Sequence, residues 1–470
     1  MAHSVLDGDH MSEAYIRSIT SFNIALSTVR FDQIPPEIVT DILLLVPTEY
    51  NGPIDHRRRI FYHLGRVCRS FYCTIQGNGR FWNWITIDED TDLTRLAEHV
   101  ALTRDVEISL DLTMSWVTGL PEPFRSATRG MLANDERSAA CEAFYLRWLT
   151  STFNVFAPKF HNCVRMHVWT TLDVHTRLLF RVFADLDGAH IQELVFHVQV
   201  GQMEEQRVTP LRPLFRGETP ALKYLLLKDV YLLGLRPMAS TLTHLVLQME
   251  SEHQVLTGPD LHTLLQDTSA LTSLSMDGVR IDHSDPHLGQ PLQLNFLTEF
   301  HLVACDDISL IPITELDMPS LRTLRVTAYP RVALSLITMG ANICSTITSL
   351  VAGFRVFPPS VADLATFLKA FSRLENLDLR PMVEVGLVLN AVFTHCSDLS
   401  PALRCIWLPE KLDDTMIAGI IAKANATHFG ADLHLVTLKG HKLDGRIPYE
   451  SSIREGGLIS RALGYDTFNS

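Results

Sequence analysis

The stretches LKYLLL (222–227), LTHLVL (242–247) and LTSLSM (271–276) carry the pattern on which most of the chain is built. Each has apolar residues at its first, fourth and sixth positions. Residues two apart lie on the same face of a β-strand, so the end of each stretch predicts a strand with one buried face. The pattern occurs ten times between residues 163 and 408, with first positions 20 to 31 residues apart.

This spacing resembles that of leucine-rich repeats, whose periods are about 20–29 residues. Helical apolar spacing fills several of the intervening segments, at 260–267, 331–343, 361–371, 385–394 and 413–424. The Asn or Cys that usually follows such a strand is mostly absent, so we expect irregular turns. The predicted fold class is α/β, with a small N-terminal helical module followed by an irregular leucine-rich-repeat solenoid.

The same patterns divide the chain into five predicted parts. They are a lead-in helix in 1–30, a helical module at 31–87, a connecting α/β segment at 88–160, the repeat-like solenoid at 161–440, and a cap or tail at 441–470.

Residues 31–87 begin with FDQIPPEIVTDILLL, in which a proline pair opens a short helix. A second helical pattern contains VCRSF at 67–71, and the module ends on FWNWITI at 81–87. Some fifty residues cannot bury so many apolar groups alone. We therefore expect the rest of the chain or a partner to cover part of this surface.

The order of these three pieces resembles an F-box, over about 55 of the 470 residues, and with the repeats it resembles the fungal F-box proteins. The resemblance implies docking on the SKP-type adaptor of an SCF-type cullin–RING ubiquitin ligase. It also implies which residues bind the adaptor: Ile34, Pro35, Pro36, Ile38, Val39, Ile42, Leu43, Leu64, Val67, Cys68, Phe71 and Trp82. The alternative is a small helical cap folded onto the first repeat.

Strand alternation also predicts a second surface. The residue between the last two apolar positions of each pattern points to the opposite, concave face of the sheet. In the later repeats this position is charged, aromatic or mixed, which is typical of protein-recognition surfaces. We expect an unknown target protein to bind at His301, Arg325, Val351, Asp378 and Trp407. The alternative is that helices or the C-terminal tail cover this face.

Charge and composition narrow the partners and the compartment. The net charge of −13 argues against a nucleic-acid partner, whereas residues 30–87 balance at +2, which suits an acidic protein or a solvated helix face. None of the eight cysteines forms a CxxC pair, and the chain opens without a signal-peptide pattern. With no apolar run long enough for a membrane span, we expect a cytoplasmic or nuclear protein.

The sequence offers little catalytic chemistry. It contains no GxSxG, no phosphate-binding GxxxxGK[ST], no HExxH and no GxGxxG motif. DHSDPH at 282–287 and the group Cys141, His161, Cys163 and His167 are weak metal patterns, which we assign to a solvated turn and a core thiol. We expect no cofactor, no metal and no enzymatic activity. The predicted function is target recognition for a ubiquitin ligase; the alternatives are a scaffold that recruits no ligase and an enzyme whose distant residues converge.

Overall fold

A computed structural model provides the structure of the chain. It describes residues 34–45, 61, 63–88, 91–114, 135–171, 173–198, 215–216, 219–229, 240–249, 255–266, 268–282, 292–303, 316–328, 344–354, 368–381, 385–394, 402–409, 419, 422 and 434–437. The lead-in helix predicted in 1–30, the tail at 441–470 and most of the 282–287 motif lie outside these residues.

The described residues contain seventeen strands. They are β1 (Trp84–Ile87), β2 (Ile108–Met114), β3 (Cys163–Thr170), β4 (Glu193–Val198), β5 (Tyr224–Lys228), β6 (His244–Gln248), β7 (Val255–Thr257), β8 (Ser273–Asp277), β9 (Arg280–Asp282), β10 (Leu292–Gln293), β11 (Glu299–Val303), β12 (Leu316–Asp317), β13 (Thr323–Ala328), β14 (Ser349–Phe354), β15 (Asn376–Asp378), β16 (Cys405–Leu408) and β17 (His434–Thr437). Thirteen of them form one sheet in chain order, and β7–β9 and β10–β12 form two small pairs.

Seven α-helices accompany these strands in the described part of the chain. They are α1 (Pro36–Leu45), α2 (Arg69–Gly77), α3 (Leu93–Thr103), α4 (Asp135–Phe156), α5 (Asp173–Phe183), α6 (Gly258–Gln266) and α7 (Val385–Thr394). Two 3-10 helices, Gly79–Phe81 and Ala157–Asn162, precede β1 and β3.

Every pairing within the large sheet is parallel, and one register runs along it apart from a shift between Ile108 and Ser109, where β2 pairs with β3. Leu274 of β8 pairs with Phe300 of β11, which pairs with Leu324 of β13, and the same row continues along the sheet. The apolar positions of all ten sequence patterns are at most 7% exposed. They form one continuous core with the apolar faces of α3 to α7, so these helices pack on one face of the sheet. The opposite, outward face is not open everywhere, since Leu226 of β5 and Val246 of β6 point outward and are only 6% and 5% exposed.

The predicted fold class is wrong. We expected an F-box-like helical module followed by a leucine-rich-repeat-like solenoid, but the described residues form an α/β protein on one large parallel sheet with few helices. The sheet already begins at β1, at the end of the 31–87 stretch that we assigned to a separate F-box-like module, and continues through β2. The sequence pattern predicts a strand with one apolar face, preceded by one further buried apolar residue. It does not predict which kind of segment connects that strand to the next one.

A second, separate core lies at the N-terminal end. It consists of Val39, Leu43, Phe61, Leu64, Phe71, Ile75 and Phe81. We call α1, residues 61 and 63–65, α2 and the 3-10 helix Gly79–Phe81 the N-terminal helical cluster.

This cluster meets the sheet through a close backbone contact at Gly79. A Cβ atom on Gly79 would lie 2.1 Å from the carbonyl oxygen of Thr103, at the end of α3. Beside it, the indole of Trp82 donates to the carbonyl of Ile75 over 2.8 Å. His99 Nε2 lies 2.9 Å from the carbonyl oxygen of Trp82. The junction is therefore packed tightly enough to require glycine.

We expect Gly79→Ala to lower the free energy of unfolding by about 2 kcal/mol, because the added methyl group forces the backbones of the cluster and α3 apart. Gly77→Ala is the matched control, since its added methyl group would meet nothing within 4 Å. Thermal and denaturant unfolding of both variants measure the difference. Equal stability of the two would contradict a close-packed junction.

Candidate functional site

The first candidate surface lies on α1 of the N-terminal helical cluster. Pro36 occupies the first helical position, where its missing N–H costs no hydrogen bond, and Val39 N donates to the carbonyl of Pro35 over 3.1 Å. Four-residue spacing then gives the helix two apolar faces. Val39 and Leu43 are buried in the cluster core, whereas Ile38 and Ile42 are 50% and 41% exposed.

The twelve residues implied for adaptor binding divide between surface and core. Exposed residues are Pro35, Pro36, Ile38, Ile42 and Val67; partly buried ones are Ile34, Cys68 and Trp82; buried ones are Val39, Leu43, Leu64 and Phe71. Among the partly buried residues, Cys68 caps α2, its Sγ accepting from Phe71 N at 3.5 Å. Tyr72 adds a further exposed aromatic on α2 that the resemblance does not include.

The second candidate surface is the outward face of the sheet. Pairing places the five residues predicted for target binding side by side in one row, on strands β11, β13, β14, β15 and β16: His301, Arg325, Val351, Asp378 and Trp407. The expected juxtaposition across some hundred residues of sequence therefore occurs in the structure.

Within this row the chain itself already engages several of the side chains. Arg380 Nε lies 3.0 Å from both carboxylate oxygens of buried Asp378, and its guanidinium carbon lies 5.0 Å from the centre of the Trp407 ring. Burial, aided by the charge of Arg325, lowers the pKa of His301 to about 4, so this imidazole is neutral at physiological pH. The sequence analysis did not include Arg380 among the target-binding residues, although it stands two residues after Asp378.

A second polar group lies on the same outward face, at β1 to β4. His167 Nδ1 lies 3.3 Å from Asp111 Oδ1, and His167 Nε2 lies 3.1 Å from Glu193 Oε1. Arg165 Nε lies 3.4 Å from Glu193 Oε2, and the indole N–H of Trp84 donates to Asp111 Oδ2 over 2.8 Å. We call Trp84, Asp111, Arg165, His167 and Glu193 the imidazolium network.

The charges of this network are fixed by its hydrogen bonds. Burial alone lowers the pKa of His167, but the hydrogen bonds and charges of Asp111 and Glu193 together outweigh it and raise that pKa to about 9. The hydrogen bond from His167 in turn lowers the pKa of Glu193. At neutral pH the protonated ring donates from Nε2 to Glu193 and holds its Nδ1–H beside the Asp111 carboxylate as an ion pair. With a proton on both nitrogens, the ring has no lone pair with which to act as a general base. The network suits recognition and stabilisation.

Sequence reasoning missed this network because its five members come from four strands, β1 to β4. His167 was considered only as a metal ligand with Cys163, whose buried thiol has its pKa raised to about 12. The alternation in 106–112 gives Asp111 an outward position, but the register that brings it beside His167 depends on the fold. A signal was present in the charged or aromatic residues at outward positions of β2 to β4.

Next to the network stands an exposed tryptophan. Trp169 lies on the same face of β3 as His167, two residues further along, and is 49% exposed. Its ring centre lies 4.3 Å from that of His197 on β4, with the ring planes inclined by 62°. Trp169 therefore offers an indole surface to a partner.

No metal site is found in the described ranges, where no three His, Cys, Asp or Glu side chains are grouped to hold an ion. None of the helices in those ranges is both long and apolar enough to cross a membrane. A comparison with models of known protein families and with curated proteins gave no match for this chain.

The imidazolium network makes the stability of the protein depend on pH. Because the folded-state pKa of His167 lies above its ordinary value of 6.5, the stabilisation is complete below about pH 6.5 and is lost as the pH rises through about 9. We expect wild type to lose up to about 3 kcal/mol of unfolding free energy between about pH 6.5 and pH 10.

Urea unfolding at both pH values measures this loss, with His167→Gln as the control. The variant lacks the titrating group, so its loss reports all other groups and is expected to be smaller. Identical losses in wild type and variant would show that the network does not hold a proton on His167.

Proposed function

We propose that this chain is a non-catalytic target-binding subunit of an SCF-type cullin–RING ubiquitin ligase. In this proposal the N-terminal helical cluster docks on the SKP-type adaptor, and the outward face of the sheet binds a protein target. The partner complex supplies ubiquitin transfer. Such a role places the protein in the cytoplasm or the nucleus.

The observation that carries the proposal is the second apolar face of α1. Single exposed aliphatic residues are common on proteins, but a surface helix normally turns a polar face to solvent. Here Ile38 and Ile42 stand one turn apart and exposed, while Val39 and Leu43 fill the core behind them. An apolar helix face of this kind fits an apolar groove on a partner. The order of IPPEIV, VCRSF and FW, which resembles an F-box, supports the choice of partner.

The two cores support a division of roles. The N-terminal helical cluster has its own core, so the sheet does not depend on α1 for burial. A partner can therefore cover α1 without disturbing the outward face of the sheet.

The test is binding of the purified full chain to a purified SKP-type adaptor, measured by calorimetry. We expect Ile38→Asp with Ile42→Asp to weaken binding at least about a hundredfold, because burying two carboxylates in an apolar groove costs several kcal/mol. Since both side chains face solvent, the unfolding temperature should change little.

Phe296→Asp is the matched control, because Phe296 is also an exposed apolar residue but lies on the sheet side of the molecule, after β10. It should bind the adaptor as wild type does. If wild type fails to bind any adaptor, the ligase role is wrong and an interaction scaffold without ligase recruitment becomes the better reading.

A further inference from the structure

We infer that Arg165, His167 and Trp169 on β3, with His197 on β4, bind an extended acidic segment of the target protein. We call these four residues the β3 patch. The inference rests on the proposed target-binding role, and it places the contact at the opposite end of the outward face from the row predicted by sequence.

Exposure favours this end of the sheet. Trp169 and the Arg165 side chain are 49% and 55% exposed, and Trp and Arg are the residues most enriched among those that dominate binding energy. In the other row, Asp378 is buried against Arg380, and the guanidinium of Arg380 covers Trp407. A partner at that row would have to break contacts that the chain already makes.

Charge determines the kind of partner. The side chains of Asp111 and Glu193 are recessed, at 13% and 32% exposure, and both contact His167. A cationic ligand would have to displace Arg165 or His167 from these carboxylates. An incoming carboxylate does not have to displace either residue. A guanidinium has five N–H donors, and Arg165 directs the one on Nε to Glu193. Arg165 is thus suited to form an ion pair with an acidic side chain.

Spacing determines the shape of the segment. Arg165 and Trp169 are four residues apart on one face of a strand, which corresponds to about 13 Å. An extended peptide lying along β3 spans that distance with side chains four residues apart. We therefore assign an acidic residue to Arg165 and an apolar or aromatic residue, four positions away, to the surface formed by Trp169 and His197.

The test uses a short fluorescein-labelled Gly/Ser peptide that carries one Glu and one Leu four residues apart, titrated with the full chain and followed by anisotropy. Replacing Glu with Gln in the peptide should weaken binding at least about threefold. Arg165→Gln should weaken binding by a similar factor and remove the preference for Glu. Trp169→Ala should weaken it about tenfold.

Arg373→Gln, at another exposed arginine, is the matched control and should bind the peptide as wild type does. The inference is overturned if wild type does not prefer the Glu peptide to the Gln peptide, or if Arg165→Gln and Trp169→Ala bind unchanged. The inference would also be overturned if a phosphoserine peptide bound and the Glu peptide did not, because the ligand would then be a phosphate.

Adaptor binding separates this inference from the proposed function. Arg165→Gln and Trp169→Ala should bind the SKP-type adaptor like wild type, since α1 is unchanged. Loss of adaptor binding by wild type with retained peptide binding would reject the ligase role and keep the β3 patch. The reverse result would reject the patch alone.

Discussion

The shared register of the parallel strands is the constraint on which the rest of the structure depends. In the middle of the sheet, the residue just before one strand accepts a hydrogen bond from the residue just before the next: Thr298 N donates to the carbonyl of Thr272, and Arg322 N donates to that of Thr298, each over 2.9 Å. The hydroxyl of Thr298 adds a bond to the same carbonyl of Thr272, over 3.1 Å. Because side chains alternate along a strand, a slip of one residue would turn every buried leucine outward. The core therefore holds the register, and the register aligns the outward face.

That alignment decides which side chains meet on the outward face of the sheet. Asp111, His167 and Glu193 stand on three consecutive strands of the sheet, so a protonated imidazole joins two carboxylates at the surface. At the other end, Asp378 and Trp407 are joined by Arg380. The two ends differ in what they leave accessible. The first exposes an indole and a guanidinium, whereas the second uses its guanidinium to close the surface. This difference, more than the types of residue present, is the reason we propose the first end as the binding surface.

The N-terminal helical cluster is stabilised separately from the sheet. Its core is distinct from that of the sheet, and it is joined to α3 where Gly79 meets Thr103 and Trp82 meets His99. A cluster of this size can bury only part of its apolar surface. The residues left over are not scattered, because Ile38 and Ile42 occupy one side of α1. An independent core, a close-packed junction and an unburied helix face are the three features on which the proposed docking role of this cluster rests.

The sequence by itself determined which residues are inward. The apolar positions of all ten patterns are buried, and the alternation that placed His301 and Trp407 on the opposite face agrees with the observed pairing, because strand periodicity is a local property of the chain. The fold class could not be obtained in this way. The pattern describes single strands and does not constrain what connects them. It therefore did not predict that β1 joins the large sheet. Periodicity on α1 likewise showed two apolar faces without saying which is core; packing against Leu64 and Phe71 decided it. Only the tertiary structure could bring Asp111 and Glu193 to His167, since partners on neighbouring strands are set by long-range register.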